Sequence, residues 1–186
     1  MKHFLLWGMM VMALLSCNSP ATEQQKATIA DTAMQPAGAG TRAFPAAPVL
    51  DAYFKLGSAL FAENAPLITA AATALQKDLQ ALKATDFPAE QQKTVAEIME
   101  SSMENAEHIA ASKDNPGHQR EHFQLLSEDL YDLAKAAGTG TTIYKFVCPA
   151  LNGRKGGFWL SDQQALKNPY TGAAGNACGT IEETLN

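Results

Sequence analysis

Between Leu50 and Ala137 apolar side chains return every third or fourth residue, and this spacing constrains the fold more than any other feature of the chain. Leu50, Phe54, Gly57 and Phe61 form one series, and Ile68, Ala71 or Ala72, Leu75, Leu79 and Leu82 a second. A third follows Pro88 through Val95, Ile98, Met99, Ser102, Ala106 and Ile109; a fourth opens at Asn115-Pro116 and passes through Phe123, Leu126, Leu130, Leu133 and Ala137. Such a stripe lies along one face of an α-helix and has to be buried against another element. Four amphipathic helices joined by short connections pack antiparallel, so the expected fold class is mainly α, an up-and-down bundle of about four helices. Asn115 suits an N-cap and Pro116 the first helical position, while Gly138 falls where a left-handed cap would end the fourth helix. Gly57 and the run from Ala70 to Ala74 permit close approach of backbones.

The period changes after Gly140. Thr141, Ile143, Lys145 and Val147 alternate with Thr142, Tyr144 and Phe146, a β-branched and aromatic run that predicts a strand. Phe158-Trp159-Leu160 predicts a second short strand, Ser161 the cap of a helical turn over Asp162 to Leu166, and Asn168-Pro169 a turn. The bundle is therefore expected to carry a small C-terminal β/loop tail. Its large apolar side chains, Phe158, Trp159 and Tyr170, read first as a cap of core on one end of the bundle. Exposed, the same rings would form a docking patch for another protein.

The other end of the chain carries an address. Lys2 and His3 precede an apolar stretch from Phe4 to Leu15, and Leu14-Leu15-Ser16-Cys17 follows. Charged, apolar and small-residue zones in that order mark a signal peptide over residues 1–16, too short to span a bilayer as a permanent helix. The last four residues resemble the lipobox of bacterial lipoproteins. That resemblance implies cleavage before Cys17 and lipid on its sulfur, with several acyl chains anchoring at roughly 0.8 kcal/mol per buried methylene. Asn18 in place of an aspartate, with no acidic cluster behind it, is similar to the pattern that sorts lipoproteins to the periplasmic face of the outer membrane. From Ser19 to Pro48 the chain is mostly Ala, Thr, Gln, Gly and Pro with a single aromatic, Phe44, and lacks the apolar surface to offset the entropy of ordering. Residues 17–48 are read as lipidated cysteine and flexible tether, with a reach on the order of 30 Å. Residues 49–186 then form a single domain, long enough for one core.

The formal net charge is −5, and removal of the signal with Lys2 makes it one unit more negative. That balance, with no basic run beyond Arg154-Lys155, excludes a nucleic-acid partner. Gly153, Gly156 and Gly157 precede a strand-like run and no Lys-Ser/Thr follows them, so they are not a phosphate-binding loop. No Ser, His and Asp fall in a motif that would bring a nucleophile to a base, and no activity of an enzyme is expected.

The tail reads Tyr144-Lys-Phe-Val-Cys148-Pro149, then Gly157-Phe-Trp-Leu-Ser161, then Asn168-Pro-Tyr-Thr-Gly172, then Cys178-Gly179. In that order and spacing it resembles the family catalogued as domain of unknown function 3347. Tyr53-Phe54-Lys55-Leu56 and Gln119-Arg120-Glu121-His122-Phe123, followed by Leu126-Ser127, agree with the same family in the helical part. Its members are mostly periplasmic proteins or lipoproteins, and a similar segment ends some heavy-metal efflux adaptors. The resemblance thus implies the handling of soft metal ions, copper above all, next to an envelope or efflux partner. Family tails often carry a methionine after the Cys-Pro pair and another before Cys-Gly; this chain has Ala150 at the first place and Gly175-Asn176-Ala177 around the second.

With Cys17 lipidated, Cys148 and Cys178 are the remaining thiols in an oxidising compartment. They are either a disulfide or a pair of metal thiolates. Closing a loop of about 30 residues would remove denatured-state freedom equivalent to roughly 3 to 4 kcal/mol. His118 and His122 stand four apart on the fourth helix, and a hairpin about Lys113 to Asn115 would bring His108 near His122. Three neutral imidazoles could then converge on a copper or zinc ion. Alternatively His118 is solvated in a first turn and His108 merely complements a helix C-terminus. Met99 and Met103, also four apart, read as core filling before thioether ligands.

Two functional classes follow. In the first, the chain is a non-enzymatic binding module of the envelope that handles a metal ion. In the second it is a structural or interaction lipoprotein in which Cys148 and Cys178 are bonded and no metal is held.

Overall fold

The computed structural model describes residues 44–175 and 177–186. The expected signal peptide, the expected lipidation site Cys17 and most of the expected tether lie outside these residues. Four long helices, α1 (Ala47–Phe61), α2 (Ala65–Ala81), α3 (Ala89–Ala111) and α4 (Pro116–Ala137), run in sequence as an antiparallel bundle. A single 3-10 turn at Ala84–Asp86 joins α2 to α3, and a short helical segment α5 (Leu151–Arg154) interrupts the tail. Three strands, β1 (Ile143–Cys148), β2 (Gly157–Ser161) and β3 (Thr180–Leu185), form an antiparallel sheet in the order β2-β1-β3. Among the described residues no helix is long and apolar enough to cross a membrane.

The helical stripes explain the packing. Ile68, Ala72, Leu75 and Leu79 of α2 are buried, as are Val95, Ile98, Ala106 and Ile109 of α3 and Phe123, Leu126, Leu130 and Leu133 of α4. On α1 the buried face is wider than the Leu50–Phe54–Gly57–Phe61 series, for Tyr53, Leu56 and Leu60 are fully buried while Phe61 is only half so. Helix α1 begins at Ala47, inside the stretch read as tether, because Ala46 is buried and Phe44 packs edge-on against Phe87. The Asn115 side chain accepts from the His118 N–H, the cap expected there. Gly138 has φ 88° and ψ −175°, so the fourth helix ends not in a left-handed turn but in the mirror-extended region that glycine alone enters readily.

The tail completes the bundle. Tyr53 of α1 stacks on Phe123 of α4 with ring centres 5.0 Å apart, and a Cβ on Gly57 would meet Phe123 at 3.3 Å, so the glycine clears space for that ring. The Tyr53 hydroxyl shares a 2.7 Å hydrogen bond with Ser127 and accepts from the Leu160 N–H of β2 at 3.1 Å. Tyr170 donates to the Phe158 carbonyl at 2.7 Å, and Trp159 stacks on Phe146. Trp159 is thus core, as the first reading of the tail's rings has it. Glu183 of β3 accepts from both Tyr131 and Lys135, which fastens the outer strand to α4 and holds the Glu183 carboxyl below its usual range.

One expectation for the tail needs correction. Ser161 caps no helix: its hydroxyl accepts from the Gln163 N–H in a local turn, and residues 162–165 are bends. The strands are paired as the β-branched and aromatic runs predict: β1 runs beside β2 in unbroken register, and the one irregularity falls in β3, where Glu182 is skipped between the Lys145–Glu183 and Phe146–Ile181 pairs.

Candidate metal centre

The hairpin between α3 and α4 is closed by residues 112–115 and stapled by Gln119, whose buried side chain donates to the Ile109 carbonyl at 3.1 Å. This staple sets the last turn of α3 against the first turns of α4. It brings His108 from one helix beside His118 and His122 from the other, with ring centres 5.9 Å (His108–His118), 4.3 Å (His108–His122) and 4.5 Å (His118–His122) apart. One ring nitrogen from each lies within 4.8 Å of the other two. In a tetrahedral zinc site with bonds of about 2.0–2.1 Å, ligand nitrogens sit roughly 3.3 Å from one another, so closing on an ion would require the nitrogens to draw together by up to about 1.5 Å.

The three rings are held differently. His122 is half-buried and its Nδ1 lies 2.9 Å from the Asn105 side-chain oxygen. His118 places Nδ1 3.3 Å from a Glu121 oxygen at the surface. His108 is exposed and lies face to face with His122, the ring planes 5° apart. Two parallel stacked rings cannot both aim in-plane lone pairs at one ion, so the exposed His108 ring would have to turn for all three to share one. Burial, followed by repulsion from His108 and His118, lowers the His122 pKa below its ordinary value, which keeps the ring neutral and ready to ligate.

Behind His122 stands a polar chain. Asn105, buried, donates to Asp129 at 3.1 Å and to the Ser101 carbonyl at 3.0 Å. Asp129 also accepts from the Ser101 hydroxyl at 2.9 Å; burial pushes its carboxyl up and these donors pull it down. Asn105 and Asp129 escaped the reading of the sequence, although a polar residue at an otherwise apolar helical position, such as Asn105 beside Ala106, is a usable signal.

Cys148 and Cys178 form a disulfide, with their Cα atoms 5.4 Å apart. Both sulfurs are thereby consumed, and with Ala150 after the Cys-Pro pair and Gly175-Asn176-Ala177 before Cys178 supplying no thioether, the tail of this chain does not fit a Cu(I) site of sulfur ligands. The motif around the bond instead explains itself structurally. The Asn168 side chain donates to the Cys178 carbonyl at 2.8 Å and accepts from the Tyr170 N–H, while a Cβ on Gly179 would come within 2.7 Å of Trp159. Met99 and Met103 pack at the edge of the core, away from the face that carries His108.

A family model described as a protein of unknown function, DUF3347, matches residues 49–142. The chain belongs to the DUF3347 family. The match to DUF3347 spans the four helices and stops before β1, so it contains all three histidines and neither cysteine of the disulfide. No curated protein and no solved structure matches the chain.

Proposed function

We propose that this DUF3347 protein is a non-enzymatic metal-binding lipoprotein, which holds a copper or zinc ion on His108, His118 and His122 at the surface of its bundle. The observation that carries the reading is the convergence of three ligand nitrogens, from two helices, within 4.8 Å. Imidazoles suit these borderline ions, and three of them leave a coordination position open to a water or an incoming ligand. An exposed ring and an open position favour exchange of the ion over its burial as a structural element, and exchange requires a second envelope or efflux protein to give or receive it. The disulfide serves the tail's stability in this reading, which makes ion binding independent of the redox state of Cys148 and Cys178.

The lipid anchor belongs to the same proposal. The lipobox-like Leu14-Leu15-Ser16-Cys17 supports attachment to the outer membrane, facing the periplasm, with the polar stretch after it as a leash. Labelling cells with a fatty-acid analogue is expected to mark the wild-type chain and not Cys17→Ser; equal labelling of the two would remove the anchor. Titration of the purified full chain with Zn(II) and Cu(II), oxidised and reduced, tests the centre. Saturable binding in both states is expected, and binding that appears only on reduction would move the site to the cysteines.

A further inference from the structure

Asn105 is held so that it can face His122 in one way only. Both hydrogens of its amide nitrogen are claimed, one by Asp129 Oδ2 at 3.1 Å and one by the Ser101 carbonyl at 3.0 Å. Exchanging the amide's oxygen and nitrogen would set the oxygen against two acceptors and leave both without a donor in a partly buried place, which is costly. Asp129 is itself fixed from the other side by the Ser101 hydroxyl, at 2.9 and 3.1 Å from its two oxygens. The amide oxygen therefore points at His122, 2.9 Å from Nδ1. A carbonyl oxygen can only accept, so Nδ1 carries the proton and the lone pair of the neutral ring resides on Nε2.

We propose that Asn105 and Asp129 are positioning residues that lock His122 in the Nδ1–H tautomer and present Nε2 as the fixed ligand of the metal centre. Its purpose rests on the metal reading above, whereas the tautomer does not. Without such a partner a neutral imidazole divides between two tautomers, and part of the population offers the wrong nitrogen. A carboxylate–amide–histidine chain also fixes the ring plane and strengthens the ligand as a base, the role that outer partners play behind metal-bound histidines. The three ligands then divide the work: His122 is preset, and His108 and His118, held only at the surface or not at all, adjust to the ion.

The chain has four histidines in all, so selective ¹⁵N labelling of the full-length, metal-free protein gives an interpretable long-range ¹H–¹⁵N ring spectrum. The His122 ring is expected to show protonated Nδ1 and bare Nε2. In Asn105→Ala the pattern is expected to become a mixture of tautomers and Zn(II) affinity to fall by about 10- to 100-fold. Asp129→Asn, which still offers Asn105 an acceptor, is expected to keep the wild-type tautomer. A wild-type ring protonated at Nε2, or an unchanged pattern in Asn105→Ala, overturns the proposal. Should Asn105→Ala fail to fold by circular dichroism, the wild-type spectrum alone decides. A correct tautomer in a protein that binds neither Zn(II) nor Cu(II) would sink the metal reading and leave this one standing; binding of either ion with the opposite tautomer would do the reverse.

Discussion

At the scale of single residues, the chemistry of the candidate centre is set by how each imidazole is surrounded. His122 has its pKa lowered from 6.5, first by burial and then by its two histidine neighbours. The folded state therefore takes up this proton later than the unfolded chain as pH falls. The stability linked to the ring is fully present above pH 6.5 and is lost as pH drops through the lower folded value. An NMR titration is expected to place the His122 midpoint below the ordinary imidazole value, and His108→Ala to raise it only in part, because burial remains. A midpoint at or above the ordinary value would mean that the ring is not enclosed as described. Ser102 offers a second test: its hydroxyl is fully buried and has no hydrogen-bond partner among the described residues. Ser102→Ala is expected to leave stability unchanged or raise it by about 1 kcal/mol in urea unfolding, and a loss of more than that would reveal a partner. The three histidines were legible because spacing of four on one helix and a short hairpin are local features. Asn105 and Asp129 were not, since their roles exist only once α3 and α4 face each other.

The elements divide in the same way. The four helices follow from apolar periodicity, and Asn115, Pro116 and Gly138 mark the ends of α4 to within a residue. Strands β1 and β2 follow from β-branched and aromatic runs, but β3 does not, because Thr-Ile-Glu-Glu-Thr-Leu lies at the sheet edge and buries only Leu185. Its place depends on partners distant in sequence: β1 in the sheet, Tyr131 and Lys135 on α4, and the disulfide just before it. Removing that bond is the test suited to this scale. Replacing Cys148 and Cys178 together with serine is expected to cost about 3 to 4 kcal/mol of stability by the chain-entropy argument, while leaving the α-helical circular dichroism in place. A loss of helical signal under native conditions would show that the bundle depends on its tail more than the packing implies.

For the whole molecule, the described residues form a helical bundle of the DUF3347 family with three histidines gathered on one hairpin, to which the proposed function adds a lipid anchor and an exchangeable ion. The bundle supplies what a metal-binding surface needs, two rigid helices meeting at a stapled turn, and the tail closes the core without lending a ligand. Acidification is expected to release the ion, since protons compete for the same three nitrogens. The most direct test is electron paramagnetic resonance of the oxidised full chain loaded with Cu(II), beside the variants His108→Ala, His118→Ala and His122→Ala. The account predicts nitrogen hyperfine structure from imidazole ligands in the wild type, altered by each substitution and abolished when all three are combined. A spectrum indifferent to these histidines, or no bound Cu(II), would contradict it.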